Sequence, residues 1–339
     1  MSNLETRPAE VRCQRGGELE AGEGGPTPAA VAAPERPAVQ VLTSREVPLG
    51  GPRAMRVHRT LPQRQRSLIG AWCFADHYGP DDVSVTGGMD VPPHPHTGLQ
   101  TVSWLFSGEI EHRDSLGTVA RVRPGELNLM TAGHGICHSE VSTSDTTVLH
   151  GAQLWVALPE SDRDTARDFA HYEPPAVPLD GGVARVFLGD LAGHSSPVPT
   201  FTPLLGAELT VDPGAELRVE VDPGFEHGVL VDTGAVTLEG VSLTRTQIGY
   251  HPPGTSRLQL RNAGADPARV LLLGGEPFPE QIIMWWNLVG RSHEDIVTAR
   301  REWEDHSERF GEVPGYVGHT GRLPAPPLPN ARLRPRVQP

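Results

Sequence analysis

Lysine is absent from this sequence: every basic side chain is an arginine. Schiff-base lysines, phosphate-loop lysines and Ser–Lys dyads are thereby excluded. Cysteine is nearly absent too. Cys13, Cys73 and Cys137 are widely spaced and form no CxxC pair. This argues against a disulfide framework and fits a reducing compartment. No apolar run reaches the roughly 18 residues that a membrane span needs. The opening "MSNLETRPAEVRCQRGGELEAGEGG" lacks the basic-then-apolar order of a secretory signal. The expectation is a cytoplasmic protein with no membrane contact. GxGxxG, GxSxG and HExxH are also missing, so the commonest dinucleotide, hydrolase and metalloprotease signatures play no part. With 42 acidic against 29 basic residues the net charge is -13. Such an anion gains nothing by neutralising phosphates, so direct nucleic-acid binding is not expected.

What the chain does contain is short apolar runs, punctuated by Pro-Gly, Ser-Gly and Thr-Gly turns. "TVSWLFSGEIEH", "HGAQLWVAL", "AELTVDPGAELRVEV" and "HGVLVDTGAVTLEG" are examples. Their spacing predicts an all-β barrel or sandwich architecture. One clear helix signal stands near the end, in "SHEDIVTARREWEDHSERF", where Ser292 and Asp295 have the spacing of a capping box. A break at "PAVPLDGG" separates two β modules. Laying "FSGEIEH" (106–112) on "DTGAVTL" (232–238), glycine on glycine, suggests a repeat. That overlay sets Glu220 and Asp222 against His94 and His96, and Gln259 against His138, so the second module is read as lacking a metal site.

The stretch "PPHPHTGLQ" (92–100) holds two histidines one residue apart. In a strand, residues i and i+2 face the same way, so His94 and His96 point into one space, with their Cα atoms about 7 Å apart. In "TAGHGICHSE" (131–140), His138 and Glu140 have the same relation. Two strands that each offer two inward donors make a site of three imidazoles and one carboxylate. Zinc, iron, copper, nickel, manganese and cobalt all accept imidazole, and the carboxylate suits the harder of them. Such a set leaves one positive charge uncancelled on a divalent ion, and positions open for substrate. An acidic enol or phenol bound there loses its proton readily, and Glu140 is the candidate to receive it.

"PHPHTGLQTVSWLFSGEIEHRDSLG" with "PGELNLMTAGHGICHSE" resembles the pirin family of the cupin superfamily. So do "RTLPQRQRSLIGAWCFADHYGP", "HGAQLWVALPE" and "GGEPFPEQIIMWWNLVGRSHEDI". The resemblance implies a bicupin, two face-to-face cupin β-barrels with a short C-terminal helix and metal in the first barrel only. Residues 1–38, rich in Gly, Ala, Pro and Glu without apolar periodicity, are expected to be a disordered tail, and the resemblance implies a metal-binding cupin domain over 39–178 and a second cupin domain over 179–290. A helix over 291–311 and a Pro-rich tail over 312–339 complete the division. The family's ligands fall on His94, His96, His138 and Glu140, usually around iron. The implied activity is that of a quercetin 2,3-dioxygenase on a small flavonol-like aromatic substrate, carried out by a monomer. The alternative is a redox- or metal-sensing regulatory protein without a physiological substrate, in which the metal held by the same four residues alters the barrel surface and so the affinity for a protein partner.

Two positions depart from the family pattern. Gln100 stands where an acidic residue is usual, its amide free to hydrogen-bond a ligand or a bound water. His134 stands where Arg is frequent. Among the remaining candidates, Cys137 faces away from its neighbour His138 and reads as a buried apolar residue. His112 and Asp114 share a face, as a cross-strand polar pair or as partners of the ligands. His227 and His251 lack same-face neighbours, and Trp285 with Trp286 reads as barrel or interdomain packing.

Overall fold

The computed structural model describes residues 39–48, 55–318 and 320–335; the tail expected over 1–38 lies outside them. Valine-, leucine- and aromatic-rich runs a few residues long, each stopped by glycine or proline, can bury their side chains only as paired strands. They form two large sheets and two small ones.

The first large sheet runs, edge to edge, β12 (Asp168–Tyr172), β9 (Leu127–Thr131), β6 (Leu99–Ser107), β11 (Val148–Ala157), β4 (Trp72–Asp82), β3 (Arg56–Leu61) and β2 (Arg45–Pro48). Its smaller companion is β5 (Asp90–His96), β10 (Ile136–Ser142), β7 (Ile110–Asp114) and β8 (Val119–Val122). The second large sheet is β1 (Gln40–Leu42), β22 (Ile248–His251), β19 (Glu226–Thr233), β24 (Ala268–Gly275), β17 (Leu204–Val211), β14 (Gly182–Leu188) and β13 (Val177–Leu179). The companion here is β18 (Glu216–Glu220), β23 (Arg257–Asn262), β20 (Val236–Leu238) and β21 (Val241–Leu243). Two hairpins, β15 (Asp190–Leu191) with β16 (His194–Ser195) and β25 (Ile283–Trp285) with β26 (Leu288–Gly290), lie outside these four sheets. The chain is thus the all-β bicupin that the sequence predicts.

The large sheets meet through side chains of alternating parity. Trp104 of β6 lies 4.6 Å from Phe187 of β14, ring to ring, and its Nε1 donates to Glu208 Oε2 at 2.8 Å. Trp72 Nε1 donates to the carbonyls of Leu205 and Gly274, both at 3.1 Å. Burying large apolar side chains of this kind contributes about 1.5–3 kcal/mol each, and the indole N–H groups of Trp72 and Trp104 find acceptors.

Two features cross the expected division of the chain. β1 lies within 39–178 yet pairs with β22, Gln40 opposite Tyr250, so it completes the second large sheet. β13 straddles residue 178 and pairs with β14. The helices are a single turn, α1 (Val83–Thr86), and α2 (His293–Glu304). Ser292 caps α2, and the capping box with Asp295 is formed in both directions. Ile296, Ala299 and Trp303 form its buried face. The proline-rich stretch beyond it does not trail away. Leu323 donates its backbone N–H to Pro93 O on the edge of β5 at 2.8 Å, and Leu323 O accepts from Trp303 Nε1, also at 2.8 Å. No helix among the described residues is long and apolar enough to cross a membrane.

Candidate metal centre

β5 and β10 are antiparallel neighbours with His138 opposite His94 and Ile136 opposite His96. Three imidazoles are thereby stacked on one face of the small sheet, inside the first barrel. The rings of His94 and His138 have centroids 4.4 Å apart, and His96 lies 5.0 Å from each of them. All three are buried.

The outward contacts fix which nitrogen faces inward. His94 Nδ1 lies 2.8 Å from Pro92 O, and His96 Nδ1 lies 3.1 Å from Asn287 O. A carbonyl only accepts, so both Nδ1 atoms carry the proton and both Nε2 atoms are lone pairs. For His138 a relay decides. Asp114 accepts from Leu116 N and Thr118 N through Oδ1, and from His112 Nε2 through Oδ2 at 3.1 Å. Burial alone would raise the Asp114 pKa, but these donors outweigh it and hold the carboxylate ionised. The His112 proton is therefore on Nε2, and its Nδ1 accepts from His138 Nδ1 at 3.3 Å. This leaves His138 Nε2 bare as well, 3.1 Å from the equally bare Nε2 of His96. His94 Nε2 is buried with no hydrogen-bond partner.

Three lone pairs converge with no proton among them. Burial holds each of these imidazoles well below the usual range, so protonation does not relieve the repulsion near neutral pH. A cation does. The donor set therefore fits a divalent transition metal, with carbonyl acceptors on the outer nitrogens of His94 and His96 and the His112 imidazole, itself held by Asp114, on that of His138.

Glu140 lies beside His138. It is grouped with His112 and His138, whose candidate ligand atoms all lie within 4.8 Å of one another, while His94, His96 and His138 form a separate group. A register shift between His138 and Glu140 in the β10–β5 ladder sets Glu140 opposite Val91. The Ser103 hydroxyl lies 3.2 Å from Glu140 Oε1. The carboxylate thus lies near both His138 and His112.

Comparison with known proteins gives this architecture its relatives. Residues 54–156 match the pirin family model, and residues 206–311 match that of the pirin C-terminal cupin domain. This chain belongs to the pirin family. A Pseudomonas aeruginosa relative bearing the name "Putative quercetin 2,3-dioxygenase" is 45% identical over 86% of this chain and 91% of its own length. A pirin-like protein of Caulobacter vibrioides is 35% identical over 78% of this chain and 92% of its own. The crystal structure of a quercetin 2,3-dioxygenase from Acinetobacter baumannii superposes with a TM-score of 0.83 at 41% identity, covering 88% of this chain and 98% of that one. An Escherichia coli pirin solved in complex with nickel(II) shares the fold at 18% identity, with a TM-score of 0.56 over 70% of this chain and 99% of that one.

Within this family frame the remaining candidate residues take definite places. Gln100 donates to Thr131 Oγ1 at 2.9 Å and bonds none of the four expected ligands. His134 is exposed and lies 3.4 Å from Asp164, apart from the imidazole cluster. Cys137 is buried, its thiol pushed up to about 11 by burial, with Sγ directed at Gly311 O. His112 and Asp114 are the partners of a candidate ligand, where the spacing alone favours a bare cross-strand polar pair. His227 and His251 do have a same-face neighbour, because they oppose each other across β19 and β22.

The overlay of the two modules also slips. It correctly sets the β6–β7 turn at Gly108 on the β19–β20 turn at Gly234, with φ of 84° and 82°. The ladders then place Leu238 where His112 stands, and Leu260, its partner, where Glu140 stands. Leu258 and its partner Val219 correspond to His138 and His94. Glu220, Asp222 and Gln259 are each one or more residues off these positions.

Sequence reasoning missed Asn287 entirely. Its contribution is a backbone carbonyl, delivered by the turn between β25 and β26. That hairpin is tied to the end of β5 by Val289 N donating to Thr97 O at 3.1 Å. Gly98 permits the approach: a Cβ there would lie 2.6 Å from Val289 O. Trp285 at the end of β25 and Trp286 in the turn itself are both buried, which is the packing role expected of them.

Proposed function

We propose that this chain is an iron-dependent dioxygenase of flavonol-like substrates, of the quercetin 2,3-dioxygenase type. The observation that carries the reading is the convergence of three unprotonated Nε2 atoms beside a carboxylate. The names borne by relatives at 45% and 41% identity support it. His94, His96 and His138 would hold the ion, with Glu140 as the fourth donor. Nickel, zinc, manganese, copper and cobalt fit the same donors, and iron is the choice that dioxygen chemistry favours. A bound divalent ion supplies Lewis acidity towards an acidic hydroxyl and the one-electron chemistry that dioxygen requires.

The chain's own residues do the rest. Glu140 accepts the substrate hydroxyl proton, and the Ser103 hydroxyl keeps the receiving carboxylate oriented. Trp155, edge-on to His96 at 5.2 Å, offers a flat aromatic wall beside the imidazoles. A small aromatic molecule is thus the partner, met by a monomer in the cytoplasm, with neither nucleic acid nor membrane involved. The test is aerobic incubation of iron-reconstituted protein with quercetin, following ring cleavage and carbon monoxide release. Turnover far above that of a His94→Ala control is the expected result; equal rates would sink the proposal.

A further inference from the structure

A second cluster of donors lies where the two barrels meet. His77 of β4, His150 of β11 and Asp232 of β19 are all buried, and their candidate ligand atoms lie within 4.8 Å of one another. Asp232 Oδ1 is 2.7 Å from His77 Nε2 and 2.6 Å from His150 Nε2. Only the first of these is a hydrogen bond. His150 Nε2 is close to the oxygen but not aligned with it, and it stays unpaired although buried. Two imidazoles therefore crowd one carboxylate oxygen from different directions.

The backbone has been bent to produce this meeting. His150 falls at a register shift in both ladders of β11, against β4 and against β6. Asp232 falls at another, between Val231 and Thr233 in the β19–β24 ladder. Bulges re-aim a side chain at the expense of a ladder bond and are frequent beside functional sites. Here two bulges from different barrels turn two donors onto one point.

From this geometry we infer that the seam between the barrels is a divalent transition-metal site, held by His77 Nε2, His150 Nε2 and Asp232 Oδ1. Two imidazoles and one carboxylate are a set that zinc, iron, cobalt and nickel accept, with positions left open for water. Bonds of about 2.0–2.1 Å to a tetrahedral ion separate donors by about 3.3 Å, so each imidazole need retreat by less than about 1 Å. Arg269 does not compete for the ion. Its Nε donates to Asp232 Oδ2 at 2.6 Å and its guanidinium stacks on Phe106 at 4.2 Å. It therefore occupies the oxygen that faces away and fixes the carboxylate from behind. Access is at hand, because a cavity of about 510 Å³ lined in part by Phe106, Arg185, Glu208 and Arg269 opens beside the cluster. The Phe106 ring, 4.9 Å from that of His150, is shared between cavity and cluster.

This site is independent of the first-barrel centre and is tested apart from it. Crystals of the wild-type chain soaked in Co²⁺ should show an anomalous peak among His77, His150 and Asp232. In solution, chelator-stripped His94→Ala/His138→Ala protein should still bind about one Co²⁺ per chain, with visible d–d absorption that His77→Gln abolishes. If that double variant fails to fold, the wild-type anomalous map decides alone. The inference is overturned by a map with no peak at the seam, or by a folded double variant that binds no Co²⁺. It is overturned equally if the absorption survives His77→Gln unchanged.

Discussion

The two barrels share one plan and differ in what fills it. Edge to edge, the large sheets correspond strand for strand, and so do the small ones: β5, β10, β7 and β8 in the first, β18, β23, β20 and β21 in the second. In the first barrel the inner positions of the small sheet are His94, His138, Glu140 and His112, backed by Asp114. In the second they are Val219, Leu258, Leu260 and Leu238, all buried. The second interior is stabilised by apolar burial, about 1.5–3 kcal/mol for each such side chain. The first gives up that stabilisation and must satisfy every polar atom instead, through Pro92 O, Asn287 O and the Asp114–His112 relay. Function here belongs to a handful of side chains and not to the fold that displays them.

Exchanging the roles of equivalent positions gives the strongest test. His138→Ala should remove one metal ion per chain, read by elemental analysis, and change the stability of the metal-free protein little. Its counterpart Leu258→Ala should leave metal content untouched and cost about 2–5 kcal/mol in denaturant unfolding, since it opens a cavity in a packed core. A metal loss in the second variant, or none in the first, would break the comparison.

A buried histidine of the second barrel adds a pH dependence. Burial lowers His227 from 6.5 to about 4 in the folded state. Between these values the unfolded chain binds the extra proton, so folding stability is complete above pH 6.5 and falls as pH drops towards 4, by up to roughly 3 kcal/mol. His227→Gln should flatten that part of a plot of Tm against pH; parallel curves for variant and wild type would refute it. The smallest expected effect belongs to the relay. Asp114→Asn leaves the ladder intact but weakens the control of His138's tautomer. Metal affinity should fall about ten- to a hundredfold, as measured by competition with a chromophoric chelator. An unchanged Kd would mean that His138 orients itself without the relay.

Much of this was legible in the chain because strand chemistry has a period of two. His94 with His96, and His138 with Glu140, announce a shared face before any fold is known, and Ser292 with Asp295 announces the start of α2. What stayed hidden depends on pairings between distant segments. The contact of His112 with His138 follows from the β7–β10 register, which no local pattern encodes. The seam cluster joins residues 77, 150 and 232 through two bulges, and a bulge leaves no mark in hydrophobic alternation. Asn287 acts through its carbonyl, which every residue possesses. The overlay of the modules failed for the related reason that an alignment anchored on one turn cannot register a shift further along the ladder.

The placement of the chain's extremities has a practical consequence. The first described strand is stitched into the distal barrel, while Leu323 is fastened to the margin of the proximal one. Each half thus wears a piece of the other's sequence, like a garment buttoned across. Expressing either half alone, or grafting one onto a cousin's counterpart at the midpoint, discards a piece that the retained half depends on. Shuffling experiments should carry both flanks along with the barrel they dress.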